Sequence, residues 1–325
     1  MWGAALANHI SRTGRRLWLW EYFPKVAQRL EKTRRHSHLK NFKLGPSVRV
    51  TSNLTEAVTN VDFLFVVLPS THVRRTARLI GPLLDQNKRR PVVINASKGV
   101  EPESLRTMGE VLLEEMAFLA GRVYTLSGPS FAREVAGGVA TKLVLAGRPG
   151  RAATAAAELV DGGAIRIEVS EDRIGVELGG SLKNVLAIGG GILDGLKAGE
   201  NTRAAMMTQG IAEMGSLIER LGGRRETIYG LAGIGDLILT GSSPESRNFT
   251  LGQKLGKGKK LKSALEEIST VVEGIESASS AHTLITTSRV KAPLLSAIWR
   301  IVHRGAKPEA VIESLGFDKA SINKA

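Results

Sequence analysis

The chain predicts an α/β N-terminal domain followed by an all-α C-terminal domain, on three observations. Up to about residue 168, short β-branched runs alternate with helical stretches, the pattern of a parallel sheet joined by crossover helices. From about residue 170 the strand signals vanish, and amphipathic helical segments succeed one another between Gly and Pro punctuation. The length, 325 residues, suits two domains of ordinary size. The division predicted is 1–168 and 169–325.

The strand candidates are "LWLW" (17–20), "VRV" (48–50), "FLFVVL" (63–68), "VVIN" (92–95), "VYTL" (123–126), "LVLA" (143–146) and "IRIEV" (165–169). Several are apolar on both faces, as a sheet covered by helices on each side requires. Ligands bind such sheets at the loops that leave the C-terminal ends of the strands. The helical half contains "RIGVELGGSLKNVLAIGGGILDGL", "RAAMMTQGIAEMGSLIERLG", "LGQKLG", "LKSALEEI", "GIESASSAHTLITTS", "APLLSAIWRIVHRG" and "KPEAVIESLG". Lysine-rich "KLGKGKKLK" (254–262) is the one biased patch and reads as a flexible exposed loop.

Composition narrows the chemistry. With no cysteine, disulfides, thiolate nucleophiles and cysteine-held zinc or iron–sulfur sites are excluded. No apolar run approaches the ~18 residues of a transmembrane helix, and the N-terminus lacks a signal-peptide core, so a soluble cytoplasmic protein is expected. The net charge of +14 is uneven, with ten basic and two acidic side chains between residues 12 and 43. Such a surface suits nucleic acid or anionic lipid, or is a solvated face that also attracts phosphorylated metabolites. No aromatic signature of an RNA-binding module accompanies it.

Eight stretches carry candidate chemistry. In "MWGAALANHISRTG", Gly3 with Ala4, Ala5 and Ala7 permits a helix start to approach a pyrophosphate closely, as in the second half of a dinucleotide fingerprint. Glu21 follows at the end of "LWLW", near where a ribose-binding acid is expected. "NASKG" places Lys98 just after a buried strand, either to grip a phosphate or as a solvent-facing loop lysine. "SGPSFAREV" makes a tight turn at Gly128, Pro129 and Ser130 that opens a helix, an anion site or a plain N-cap. In "ELGGSLKNVLAIGGG", Lys183 and Asn184 interrupt an apolar, glycine-rich helix. Burial lowers the pKa of such a lysine toward the range useful for proton transfer, and the glycines require something to approach the backbone closely. Finally, Asp236 in "LAGIGDLILT", Arg247 in "SRN" and Glu273 in "VVEG" read as ligand-facing charges or as a cap, a surface arginine and a helix-start acid.

Taken together and in this order, these segments closely resemble the bacterial-type NAD(P)-dependent glycerol-3-phosphate dehydrogenases, over essentially the whole chain. "WGAALA", "SKG", "SGPSFAREV", "IGVELGGSLKNVLAIGGGI", "NTRAAMMTQGIAEM", "GLAGIGDLILT", "SRN", "LGKG" and "VVEG" carry the likeness. It implies a Rossmann-type N-terminal domain, a helical substrate and catalytic domain, and reduction of dihydroxyacetone phosphate to sn-glycerol 3-phosphate with NAD(P)H and no metal. The product supplies phospholipid synthesis. By the same resemblance Lys183 is the catalytic acid/base. Lys98, Gly128, Ser130, Lys183, Asp236, Ser246, Arg247 and Asn248 hold substrate. Trp2, Gly3, Tyr22, Lys98, Ala132, Arg247, Val271 and Glu273 touch the dinucleotide. The partners implied are a small phosphorylated substrate and, for the family, a second copy in a homodimer, with no specific nucleic acid and no membrane span.

Four departures from the family pattern set further expectations. The family begins with a strand and "GxGxWG", whereas here "MWG" opens the sequence, so the first, central strand is expected to be missing. An active enzyme with a longer N-terminus, or a truncated member that binds phosphometabolites without turnover, would both fit. Tyr22 occupies a position usually basic, and Glu21 beside it would repel a 2′-phosphate, which disfavours NADP. Gln209 stands where "TRG" is usual, and "SRNFT" lacks further arginines, so reduced phosphate affinity is expected.

Overall fold

The computed structural model describes residues 1–268 and 271–318. The chain forms two compact units, Met1–Ser97 with Gly109–Glu171, and Lys98–Met108 with Asp172 onward. The division expected at 168/169 falls at 171/172, and residues 98–108, expected in the first domain, group with the second.

The first unit holds strands β1 Leu17–Trp20, β2 Val48–Thr51, β3 Phe63–Val66, β4 Val92–Asn95, β5 Val123–Ser127, β6 Thr141–Ala146 and β7 Ile165–Ser170. Each lies within two residues of its expected place. Helices α1 Trp2–Ser11, α2 Pro24–Thr33, α3 Leu54–Val58, α4 Ser70–Gln86, α5 Met108–Glu115, α6 Ala132–Gly137 and α7 Arg151–Val160 alternate with them. β4 and β5 are buried along their whole length, as their unbroken apolar runs require.

One expectation of the sheet is corrected. β3, β4 and β5 pair in parallel, and so do β6 and β7, but β6 runs antiparallel to β5 with Leu126 opposite Leu145. The link between β5 and β6 holds only the six-residue α6, ~9 Å of helix. That is too short to carry the chain back along the sheet, so β6 returns directly beside β5.

A second feature of the unit is a gap. β1 and β2 form a two-stranded parallel sheet of their own, separate from the five strands β3 to β7. Between β1 and β3 lies a cavity of about 610 Å³, lined by Leu6, Ile10, Leu19, Phe65, Val73 and Leu112 among others. All four residues of β1 and the first three of β3 are half-buried, although every one is Leu, Trp or Phe. No strand of the described residues lies between β1 and β3.

The second unit is helical: α8 Arg173–Gly195, α9 Glu200–Arg220, α10 Asp236–Gly241, α11 Arg247–Gly256, α12 Leu261–Ile268, α13 Glu273–Ser288, α14 Pro293–Arg304 and α15 Ala310–Glu313. α8 is its axis and is buried from Gly175 to Leu193. Asp172 caps it, accepting from the Gly175 N–H at 2.9 Å. The close approach demanded by the glycines comes from α11. A methyl group on Gly191 would overlap the Phe249 carbonyl, and one on Gly195 the Gln253 carbonyl. Reciprocally, Gly252 lies against the Ile188 carbonyl and Gly256 against that of Ile192. Two glycine pairs at i, i+4 thus let the backbones touch, which fixes where α11 begins relative to Lys183.

The lysine-rich patch is not a free loop. Lys254 lies in the last turn of α11, and both Lys254 and Lys259 pair with Glu267 of α12, leaving 257–260 as a short exposed turn. Among the described residues, no helix is long and apolar enough to cross a membrane.

Candidate active site

The second unit gathers a charged cluster around one carboxylate. Lys183 sits mid-helix in α8 and is 4% exposed; Asp236, the first residue of α10, is 2% exposed. Asp236 follows a π-helical turn, Leu231–Gly235, in which Gly233 has no room for a side chain beneath the Ile228 carbonyl. Such turns recur at functional sites because they re-aim the next side chain. Here the Asp236 carboxylate accepts from the Lys183 ammonium at 2.9 Å through Oδ1, while Oδ2 pairs with Lys98. Lys183 also donates to Thr240 Oγ1 at 3.3 Å, and that hydroxyl donates in turn to the Asp236 carbonyl at 2.7 Å.

The electrostatics follow from burial and charge count. Burial pushes the Lys183 pKa down to about 8; Asp236 opposes that shift and the nearby Lys98 ammonium adds to it. Burial alone would raise Asp236, but the two ammonium groups outweigh it and hold the carboxyl below its ordinary range. The cluster therefore carries two positive charges on one negative at neutral pH, and its buried ammonium is a willing proton donor.

A second network lies on the next position of α8. Asn248 of α11 donates to Asn184 Oδ1 at 2.9 Å and accepts from the Gly274 N–H at 2.9 Å, which ties α8, α11 and the start of α13 together. The other end of Asn184 is unspent: its Nδ2 is buried and has no hydrogen-bond partner. A buried orphan donor next to Lys183 in sequence fits a ligand carbonyl or carboxamide. Ser246 is the N-cap of α11, accepting from the Phe249 N–H at 3.3 Å. Arg247 is exposed and forms no ion pair among the described residues. Glu273 opens α13 half-buried and acts on Lys183 electrostatically, whereas Val271 is 62% exposed.

The remaining candidates belong to the first unit. Trp2 and Gly3 form the first turn of α1, whose earliest intrahelical bond runs from the Ala5 N–H to the Met1 carbonyl. The amides of Trp2, Gly3 and Ala4 have no acceptor within the helix, the donor set a pyrophosphate uses. Tyr22 follows β1 and is 59% exposed, packed edge-on against Trp20 and Phe23. Gly128 follows β5 at φ +128°, where any side chain would be strained. Ser130 donates to the Gly128 carbonyl at 3.1 Å, closing the turn. The helix that follows starts only at Ala132, is six residues long and has Phe131 as its N-cap, so Ser130 is not its cap. Ser127 Oγ, just before this turn, is buried without a partner.

Two residues fall differently from expectation. The Gln209 amide donates to Glu213 at 2.9 Å and to the Ser314 carbonyl at 3.1 Å. Glu213 in turn accepts from the Leu294 and Leu295 N–H groups at the start of α14, so Gln209 serves packing of the helical unit. Thr240 was not singled out in the sequence. Its signal is the i, i+4 spacing from Asp236 within "DLILT", which puts both on one face of a helix.

The Rossmann-like unit and the buried lysine–aspartate pair point to the class, a dinucleotide-dependent oxidoreductase. Comparison with known proteins narrows it. Residues 1–153 match the family described as NAD-dependent glycerol-3-phosphate dehydrogenase N-terminus, and residues 172–313 match its C-terminus. The glycerol-3-phosphate dehydrogenase [NAD(P)+] of Geobacter sulfurreducens is 41% identical over 323 residues, covering 98% of this chain and 95% of its own. That of Bacillus subtilis is 35% identical over 316 residues, covering 97% and 91%. The crystal structure of glycerol-3-phosphate dehydrogenase from Coxiella burnetii superposes with a TM-score of 0.91 at 34% identity, covering 97% and 96%. The chain belongs to the NAD-dependent glycerol-3-phosphate dehydrogenase family.

Proposed function

We propose that this chain interconverts dihydroxyacetone phosphate and sn-glycerol 3-phosphate by NAD(P)-dependent hydride transfer, with Lys183 as the acid/base. The observation that carries the reading is the buried Lys183–Asp236–Lys98 cluster in a chain of this family. When bound, the nicotinamide supplies or accepts the hydride. Trp2, Gly3, Tyr22 and Ala132 of the first unit, and Lys98, Arg247, Val271 and Glu273 of the second, are the residues we propose to hold the dinucleotide. The free amides of α1 and the orphan Asn184 Nδ2 fit such a group.

Proton handling follows from the cluster. Lys183 Nζ, charged at neutral pH, donates to the substrate carbonyl oxygen as that oxygen gains negative charge; in the reverse direction the neutral amine takes the hydroxyl proton. Asp236 aims Nζ and keeps its pKa from falling further. Lys98 adds positive charge where the alkoxide develops, which lowers the barrier more than it stabilises the neutral ketone. Gly128, Ser130, Ser246, Arg247 and Asn248 are proposed to bind substrate with Lys98, Lys183 and Asp236. The exposed, unpaired Arg247 has the charge and forked shape for a phosphate. The homodimer and the cytoplasmic location implied by the resemblance belong to this proposal on that ground alone.

The test is NADH and NADPH oxidation with dihydroxyacetone phosphate, and with dihydroxyacetone as the phosphate-free control. Turnover confined to the phosphorylated substrate is expected. Binding of the phosphate without turnover under either cofactor would instead support the inactive alternative.

A further inference from the structure

The reaction proposed above needs Lys98 beside Asp236, yet Lys98 stands on a loop. A lysine has a flexible four-carbon stem, so the place of its ammonium depends on how firmly the backbone beneath it is held. The chain from Lys98 to Met108 groups with the helical unit, and two buried contacts tie it there. Just after Lys98, the Val100 carbonyl accepts from Ser280 Oγ of α13 at 2.9 Å, and both residues are buried. Val100 also forms an antiparallel bridge with Thr107, and the Glu101 N–H donates to the Arg106 carbonyl at 2.8 Å, so the loop closes on itself. At its far end Thr107 Oγ1 donates to Glu177 of α8 at 2.6 Å.

Glu177 is 5% exposed, and the oxygen that meets Thr107 also accepts from Arg173 at 2.7 Å. The reaction as proposed above makes no use of it. An apolar side chain would hold the loop against α8 at lower cost than a buried carboxylate. What the carboxylate adds is direction, because it accepts from one hydroxyl at one place and so fixes the register of the loop along the helix. α8 also bears Lys183, ~9 Å further along its axis. One helix therefore sets both of the ammonium groups that meet the two oxygens of Asp236. We propose, resting on the dehydrogenase reading, that Glu177 and Thr107 are positioning residues, which act through the loop backbone to hold the Lys98 ammonium on Asp236 Oδ2.

Thr107→Val isolates the contact, since it keeps the shape and removes the hydroxyl, and Thr107→Ser restores the donor. The first readout needs no turnover: acetylation of each lysine by acetic anhydride, followed by peptide mass spectrometry. Lys98 should label several-fold faster in Thr107→Val than in the unaltered chain or in Thr107→Ser. Lys142, paired with Glu168 in the first unit, should keep its rate and so report the retained fold. The second readout is kcat/KM for dihydroxyacetone phosphate, which Thr107→Val should lower roughly tenfold and Thr107→Ser should restore. In a Lys98→Met background the loss caused by Thr107→Val should vanish, because no ammonium is left to position. Unchanged labelling of Lys98, or a loss of equal size in the Lys98→Met background, overturns the proposal and makes the contact one of packing alone. Absence of turnover in the unaltered chain overturns the dehydrogenase reading instead, and the labelling of Lys98 then decides the positioning claim by itself.

Discussion

The axis of the helical unit and the middle of the α/β unit treat space in opposite ways. Along α8 the glycines at 191 and 195 meet those at 252 and 256, so that α11 lies backbone to backbone with no room for a methyl group. Between β1 and β3, large apolar side chains border a cavity, and the strands remain half-exposed. In the first region Lys183 is held in place by Asp236 and Thr240. In the second, the strands form two separate sheets, β1–β2 and β3–β7. The contrast teaches that the buried lysine–aspartate cluster is assembled within the helical unit, whereas the α/β unit is where added apolar volume has something to gain.

The largest effect is expected where the packing is tightest. Lys183→Ala should lower kcat for dihydroxyacetone phosphate reduction by roughly 10³-fold, within the usual range for a general acid, while circular dichroism shows the helical content retained. Next, the same kind of substitution should change sign between the two regions. Gly191→Ala forces a methyl into the Phe249 carbonyl and should cost about 2–3 kcal/mol, lowering Tm by roughly 5 °C despite the gain in helix propensity. Ala77→Leu, in a position that lines the cavity between β1 and β3, should raise Tm by a few degrees, because ~1–2 kcal/mol of apolar burial is on offer there. If both variants shift Tm in the same direction, the contrast is lost.

The smallest effect concerns cofactor choice. Glu21 ends β1, and its Oε1 accepts from the Phe23 N–H at 3.1 Å, so the carboxylate is held near the place where a ribose would bind in a Rossmann-type fold. NADH should be used in preference to NADPH, and Glu21→Ser should narrow the ratio of kcat/KM values by on the order of tenfold. An unchanged ratio would remove Glu21 from the cofactor site.

Much of this was readable in the sequence because burial leaves a mark on residue choice. The strands were visible as β-branched runs bounded by Gly or Asn, and Lys183 as a lone cation in an apolar, glycine-rich helix. The glycines 189–191 announced a close neighbour, but not that it was α11, because that contact joins residues some sixty positions apart. The direction of β6 was hidden because strand composition carries no polarity; the shortness of α6 decides it. Lys98 looked like part of the sheet domain by position, yet its salt bridge and the segment around it belong to the helical unit. The partners of Gln209 were not legible in the sequence, because Ser314 lies 105 residues away.

The claim that Lys183 carries the proton is tested most directly by the pH dependence of kcat in both directions. Reduction needs the protonated amine, so its rate should be level below about pH 8 and fall above it. Oxidation needs the neutral amine and should rise through the same pH. In Asp236→Asn the carboxylate that holds the proton on is gone, and both inflections should move to lower pH. Profiles that stay flat through pH 8 in both directions, or that are unmoved by Asp236→Asn, would contradict the assignment.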